Sequence, residues 1–153
     1  MNGSGNHGTS EDRYQIEQLL YRYAWMVDER EWPLMDEVFA PGATNDYTST
    51  GGVAGPYREA LQWLDRALSG WPINLHTIAN IAIEFDGDTA RTRCHFIAPM
   101  ARLLGDGTQE AISNAGYYFD DLVRLDGRWR IARRICRQTL MVGQLPPGYE
   151  IPA

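Results

Sequence analysis

The chain has 153 residues, of which 44% are hydrophobic and 22% charged, and its formal net charge is −6. That length supports one domain with a real core, and the acidic balance excludes a general binder of nucleic acid or anionic membrane. No apolar run approaches the roughly 20 residues of a membrane span, and polar Met1–Ser10 reads as a disordered tail rather than a signal peptide.

Thr9-Ser10-Glu11-Asp12 offers a hydroxyl cap followed by acids, the start of a helix. Ile16, Leu19, Leu20, Tyr23, Ala24 and Val27 then recur at helical spacing and define one apolar face. Asp28 falls on the flank of that face, in its last turn. Pro33 suits the first position of a second short helix carrying Met35, Val38 and Phe39, which Pro41-Gly42 should stop. Ala43 to Thr50 reads as a short strand, and Gly51-Gly52 as a loop. Pro56 opens a third helix with Tyr57, Ala60, Leu61, Leu64 and Leu68 along one side.

After Gly70 the period changes to two. His76 to Asp86 alternates as a strand, turns at Asp86-Gly87-Asp88, and returns from Thr89 to about Arg102. Thr108 leads into the stretch Gly116–Leu140, two long strands joined at Asp126-Gly127, the dipeptide that a type I′ hairpin turn favours. Taken literally, that turn pairs Leu125 with Arg128, Arg124 with Trp129 and Leu122 with Ile131. Continued without interruption, it pairs Asp120 with Arg133, Phe119 with Arg134, Tyr118 with Ile135 and Tyr117 with Cys136. Both faces of this hairpin mix apolar and polar residues, so helices should cover one and a second subunit the other. The proline-rich end LPPGYEIPA suits an extended arm. The fold class is therefore α+β: one domain over residues 11–153, three helices gathered on a cone-shaped, curved antiparallel sheet around an apolar pocket.

The two cysteines, Cys94 and Cys136, lie in strand-like segments and read as buried thiols of a cytoplasmic protein. No Cys/His spacing resembles a zinc site and no glycine-rich phosphate loop occurs, so neither metal nor cofactor is expected.

The helix order, Tyr23-x4-Asp28, the lone strand histidine His76 and the terminal pattern GYYFDDLVRLDGRWRIARR resemble the SnoaL-like branch of the nuclear transport factor 2-like superfamily. Within it the chain looks closest to scytalone dehydratase, the bile-acid 7α-dehydratases and hexachlorocyclohexane dehydrochlorinase. The resemblance implies that Asp28 orients His76, which removes a proton, with Tyr23, Tyr47 and Arg134 as further catalytic groups. The segment Ile97-Ala98-Pro99-Met100 lacks the polar group those enzymes carry there. The implied activity is a cofactor-independent dehydratase acting on a hydrophobic polycyclic hydroxy-carbonyl compound such as a steroid or polyketide. A ketosteroid-isomerase-like isomerase, a polyketide cyclase and a non-catalytic binding module are the alternatives on this superfold. A homo-oligomer is also implied, a trimer first and a dimer second.

Each residue has a plainer role as well. His76 could merely begin a strand while Asp28 pairs with Arg30, and Tyr23 and Tyr47 could be ordinary core phenols. Arg134 could stack on Phe119. Asn114, His95, Met100 and Phe119 are the candidate substrate contacts, set against strand-edge, interior and packing roles. Trp25, Trp32, Trp63 and Trp71 suit packing, with some walling the pocket. Asp120 and Asp121 read as structural partners of the neighbouring arginines.

Overall fold

The first helix, α1 (Ser10–Asp28), starts at a reciprocal cap. Thr9 Oγ1 accepts from the Asp12 amide at 3.0 Å while the Asp12 carboxylate accepts from the Thr9 amide at 2.9 Å. The computed structural model describes residues 8–153. Residues 1–7 of the expected tail lie outside the described residues, and Ser10, assigned to that tail, is already helical. All six apolar positions picked out by periodicity are buried along α1.

Asp12 does more than cap. Its carboxylate also accepts from Trp129 Nε1 at 3.1 Å and from Arg124 Nη1 at 2.8 Å, fastening the helix start to the terminal hairpin. The Thr9 amide holds the Asp12 carboxyl well below the usual carboxylate range against the opposing effect of burial, with help from Trp129, the Thr9 hydroxyl and Arg124. A depressed folded-state pKa contributes stability that is full above the unfolded value of about 3.9 and lost as pH falls toward the folded value. Asp12→Asn should therefore cost about 2 kcal/mol at pH 7 and shrink the wild-type advantage below pH 4, measured by urea unfolding across pH. A pH-independent difference would refute this assignment.

The second helix is shorter than its sequence suggests. Trp32–Glu37 forms a 3-10 helix with Pro33 in its first turn, and strand β1 (Phe39–Asp46) begins where helix was expected to end. Pro41-Gly42 sits inside β1 and marks a break in register between Phe39 and Thr44. A second 3-10 turn, Thr48–Thr50, follows, then β2 (Ala54–Pro56) and α2 (Tyr57–Ser69). The buried side of α2 holds the five expected residues and adds Trp63.

Five further strands complete the chain: β3 (Ile73–Asn74), β4 (Thr77–Asp86), β5 (Thr89–Leu103), β6 (Gln109–Leu125) and β7 (Arg128–Val142). They form one curved, unclosed sheet in the order β2-β1-β7-β6-β5-β3, with β4 also pairing β5. The sheet is mixed rather than antiparallel throughout, because β1 runs parallel to β7. Nor does it close into a barrel. Among the described residues, no helix is long and apolar enough to cross a membrane.

The β6–β7 hairpin turns at Asp126 and Gly127 with φ of 50° and 73°, as a type I′ turn requires. Near the turn the register is the expected one, through Leu122 and Ile131. Beyond it Ala132 is an extra residue on β7, a β-bulge, and every pair from Asp121 to Gly116 moves by one. Arg133 opposes Asp121, Arg134 opposes Asp120, Ile135 opposes Phe119, Cys136 opposes Tyr118 and Arg137 opposes Tyr117. The four pairs expected here are thus corrected. The physical reason is parity: without the bulge, Trp129 and Ile131 would face opposite to Arg134 and Cys136, and all four are buried. A second irregularity lies at Gly116, where a Cβ would stand 2.0 Å from the Arg137 carbonyl oxygen. Only glycine fits that approach.

Candidate active site

Asp28 is the last residue of α1 and His76 lies in the two-residue link between β3 and β4. Arg30 fixes the turn after α1. Its guanidinium donates to the carbonyls of Val27 (2.9 Å), Leu68 (3.2 Å) and Trp71 (3.4 Å), tying together the ends of both helices. It does not take Asp28 as its partner. Instead both carboxylate oxygens of Asp28 go to His76. Oδ1 meets ring Nδ1 at 2.6 Å, and Oδ2 accepts the backbone amide at 2.8 Å. Their side chains are 14% and 8% exposed, so water competes little for the contact. An ionised carboxylate only accepts, so in the neutral imidazole the Nδ1 proton points at Asp28 and Nε2 carries the free lone pair. His76 also lines an apolar cavity of about 290 Å³.

The cavity lies between the helices and the inner face of the sheet. Trp63, Leu64 and Leu68 of α2 and Trp71 beyond it form one wall. Phe96, Ala98 and Met100 of β5 form another, continued by Ile112, Asn114 and Tyr118 of β6. The C-terminal arm contributes Leu145, Tyr149 and Ile151. That arm is held by Trp63 Nε1 donating to the Pro152 carbonyl at 2.8 Å and Trp71 Nε1 donating to the Tyr149 hydroxyl at 3.1 Å.

Tyr47 follows β1 directly and lines the cavity, while its hydroxyl pairs closely with that of Tyr23 behind it. Tyr23 is fully buried and does not reach the cavity. Burial pushes the Tyr23 phenol up, the nearby Arg134 charge opposing it, and pushes Tyr47 well above the ordinary tyrosine value. Both are therefore neutral hydroxyls at physiological pH. Among the described residues Tyr23 has no hydrogen-bond acceptor but Tyr47, and either hydroxyl of the pair can donate to the other.

Arg134, the remaining expected catalytic group, lies outside the cavity. It is fully buried and donates two parallel bonds of 2.7 Å to the Asp120 carboxylate. Its guanidinium lies 4.1 Å from the Tyr23 ring centre and 4.2 Å from that of Tyr118. Desolvation pulls its pKa down and the Asp120 charge more than offsets this, leaving it well above the ordinary value. Arg134 does not line the cavity, nor does it stack on Phe119.

Two candidate contacts lie on the wrong side of the sheet. His95 alternates away from buried Cys94 and Phe96, with Nδ1 2.9 Å from Asn80 Nδ2 and its ring edge-on to Tyr117. Phe119 stacks on Tyr117 under the Arg137 guanidinium, on the same outer face. Neither residue touches the cavity. Asn114 and Met100 do. Sequence reasoning passed over Ser49, Thr50 and Gln138, polar lining groups, and the arm residues Leu145, Tyr149 and Ile151. Their signal was faint: a tyrosine and an isoleucine among prolines. Cys94 and Cys136 are free and buried, which pushes each thiol up to about 12. Among the described residues no three His, Cys, Asp or Glu converge as a metal site requires.

The fold has counterparts. An uncharacterised protein of Mycobacterium tuberculosis is 38% identical over 133 residues, 85% of this chain and 89% of its own length. Among solved structures, a protein of Novosphingobium aromaticivorans provisionally named a scytalone dehydratase superposes with a TM-score of 0.72 at 22% identity. The match covers 93% of this chain and 90% of that one. A type 2 hexachlorocyclohexane dehydrochlorinase gives 0.71 at 20% identity, covering 91% and 96%. At such identities these two structures establish a shared fold and nothing finer. The SnoaL-like domain model matches residues 8–135, and with the capped first helix and the curved mixed sheet it identifies the chain as a member of the SnoaL-like family of the nuclear transport factor 2-like superfamily.

Proposed function

We propose that the protein is a cofactor-independent dehydratase of a hydrophobic, polycyclic hydroxy-carbonyl compound, in the range of steroids and polyketide-derived rings. The observation that carries this proposal is the 2.6 Å Asp28–His76 contact at the wall of an apolar cavity of about 290 Å³. His76 Nε2 takes a proton from the carbon next to the substrate carbonyl. The electron pair moves onto the carbonyl oxygen, where the Tyr47 hydroxyl donates to it, backed by Tyr23. Asp28 stabilises the imidazolium. When the enolate collapses, the bond to the β-hydroxyl breaks and the imidazolium returns its proton to the departing hydroxide as water. Arg134 acts as a positioning residue whose positive charge lies behind the phenols.

A second possibility, isomerisation or cyclisation, is favoured by one specific observation. Ile97 to Met100 supplies no dedicated acid for a leaving group, and a proton shuttle needs only one base and one oxygen stabiliser. Product mass separates the two, since dehydration removes one water and isomerisation removes nothing. Incubation with a panel of uncharged ring β-hydroxy ketones should yield the enone, and His76→Ala should abolish it. A ligand that binds unchanged to wild type and His76→Ala, with no turnover by either, would make the protein a binding module.

The free buried thiols suit a cytoplasmic protein. The outer sheet face, with His95, Tyr117 and Phe119 beside exposed Ile97 and Leu140, suits a second copy of this chain. A homo-oligomer, trimer before dimer, is expected in sedimentation equilibrium at micromolar concentration. A monomer there would remove this assignment.

A further inference from the structure

Strand β1 stops at Asp46, while β7 runs on past the point where its parallel partner turns away. The last matched pair of that ladder is Asp46 with Ile135. Continued in step, β1 would donate a backbone amide to the Cys136 carbonyl and accept from the Gln138 amide. The chain instead folds at once into the 3-10 turn Thr48–Thr50, and the Thr48 amide goes to Asp46 Oδ1 at 2.9 Å. Both β7 groups are nonetheless taken. Ser49 Oγ donates to the Cys136 carbonyl at 2.7 Å and accepts from the Gln138 amide at 2.8 Å. One hydroxyl, donor and acceptor together, stands in for a whole peptide group.

Tyr47 is the residue between β1 and this turn. Its own backbone bonds run back into the β1–β2 connection. The Tyr47 amide donates to the Val53 carbonyl at 2.9 Å, and the Tyr47 carbonyl accepts from the Thr50 and Gly52 amides, each at 3.0 Å. Those bonds shape the connection, but its anchorage to β7 beyond Ile135 rests on Ser49. Among the described residues, no other hydrogen bond joins Thr48–Thr50 to β7. The Tyr47 ring stacks on Trp63, with centres 6.2 Å apart and planes at 27°. Stacked rings tolerate sliding, whereas two bonds to fixed β7 groups do not. Ser49 also lines the cavity, yet its single proton is spent on Cys136 and none is left for a guest.

We infer that Ser49 is a positioning residue: it pins the turn behind Tyr47 to β7 and so sets where the phenol meets the substrate oxygen. The inference rests on the dehydratase proposal for what Tyr47 does once it is in place.

The experiment is a double-mutant cycle on the full chain, with steady-state kinetics on a ring β-hydroxy ketone and urea unfolding as the folding control. A catalytic group misplaced by about 1 Å can cost up to a hundredfold in rate. Ser49→Ala should lower kcat about twentyfold with KM within twofold, and Ser49→Thr, which keeps the hydroxyl, should stay within about threefold of wild type. In a Tyr47→Phe background, Ser49→Ala should cost less than about twofold more, because no hydroxyl remains to be misplaced. A merely structural serine would cost the same in both backgrounds. The inference is overturned if the Ser49→Ala penalty persists in the Tyr47→Phe background, or if Ser49→Ala alone keeps kcat within threefold of wild type.

A second readout needs no turnover. With 3-fluorotyrosine incorporated throughout, the fluorine resonance that vanishes in Tyr47→Phe should shift in Ser49→Ala and return in Ser49→Thr. A resonance that stays in place overturns the inference whatever the kinetics. Failure of the dehydratase proposal looks different: the resonance moves as expected, so the pinning stands, yet no ring β-hydroxy ketone loses water.

Discussion

Replacing His76 with alanine is expected to lower turnover about a thousandfold, equivalent to about 4 kcal/mol of transition-state stabilisation. Asp28→Asn should come close to the same loss by another route. Both Asp28 oxygens accept from His76, at 2.6 Å from the ring and 2.8 Å from the amide. An asparagine can keep the amide contact through its one oxygen, but then it presents an NH₂ group to Nδ1. That reverses the tautomer, places the imidazole proton on Nε2 and removes the base. Ligand affinity should change less than threefold in Asp28→Asn, because Asp28 is not part of the cavity wall. Steady-state kinetics on the dehydrated product, with circular dichroism as a folding control, makes the measurement. Turnover within tenfold of wild type for either variant would dismiss the pair as catalytic.

The largest expected effect on stability belongs to Arg134. The guanidinium and the Asp120 carboxylate are both fully buried, joined by two bonds of 2.7 Å. Arg134→Met strands the carboxylate in a site without water and should cost about 4 kcal/mol in urea unfolding at pH 7. That is a large share of the 5–15 kcal/mol that holds a typical domain together. Replacing both partners, Arg134→Met with Asp120→Leu, should recover most of the loss, since apolar residues of similar size need no partner. Recovery of folding need not restore activity. With the positive charge gone from behind Tyr23 and Tyr47, turnover in the double variant should stay about tenfold low at unchanged KM. A single-variant cost under 1 kcal/mol would mean that the pair is not the buried unit described.

Local chemistry made part of this molecule readable from its residues. Thr9 and Asp12 announce a helix start, the apolar spacing of α1 places Tyr23 inside, and Asp126-Gly127 sets the first four pairs of the hairpin. Each signal acts within a few residues. What escaped depends on distant partners. Ala132 between Ile131 and Arg133 looks like any strand residue, and only the interior that receives both Ile131 and Arg134 demands an extra residue there. That one residue decided the fate of Arg134, read from sequence as a catalytic group and found behind the phenols. The parallel pairing of β1 with β7 likewise has no local mark. His95 was misplaced for the opposite reason. Strand alternation already put it opposite to Cys94 and Phe96, but nothing in the sequence said which face held the cavity.

The C-terminal arm has a practical corollary. Trp63 and Trp71, two of the five tryptophans, both stand in the cavity wall, and each indole N–H is held by a residue of that arm. A guest that presses against these rings or lifts the arm changes the surroundings of both indoles at once. The protein thus carries its own fluorescent gauge of occupancy, and a search through unlabelled compounds can be run by following intrinsic emission.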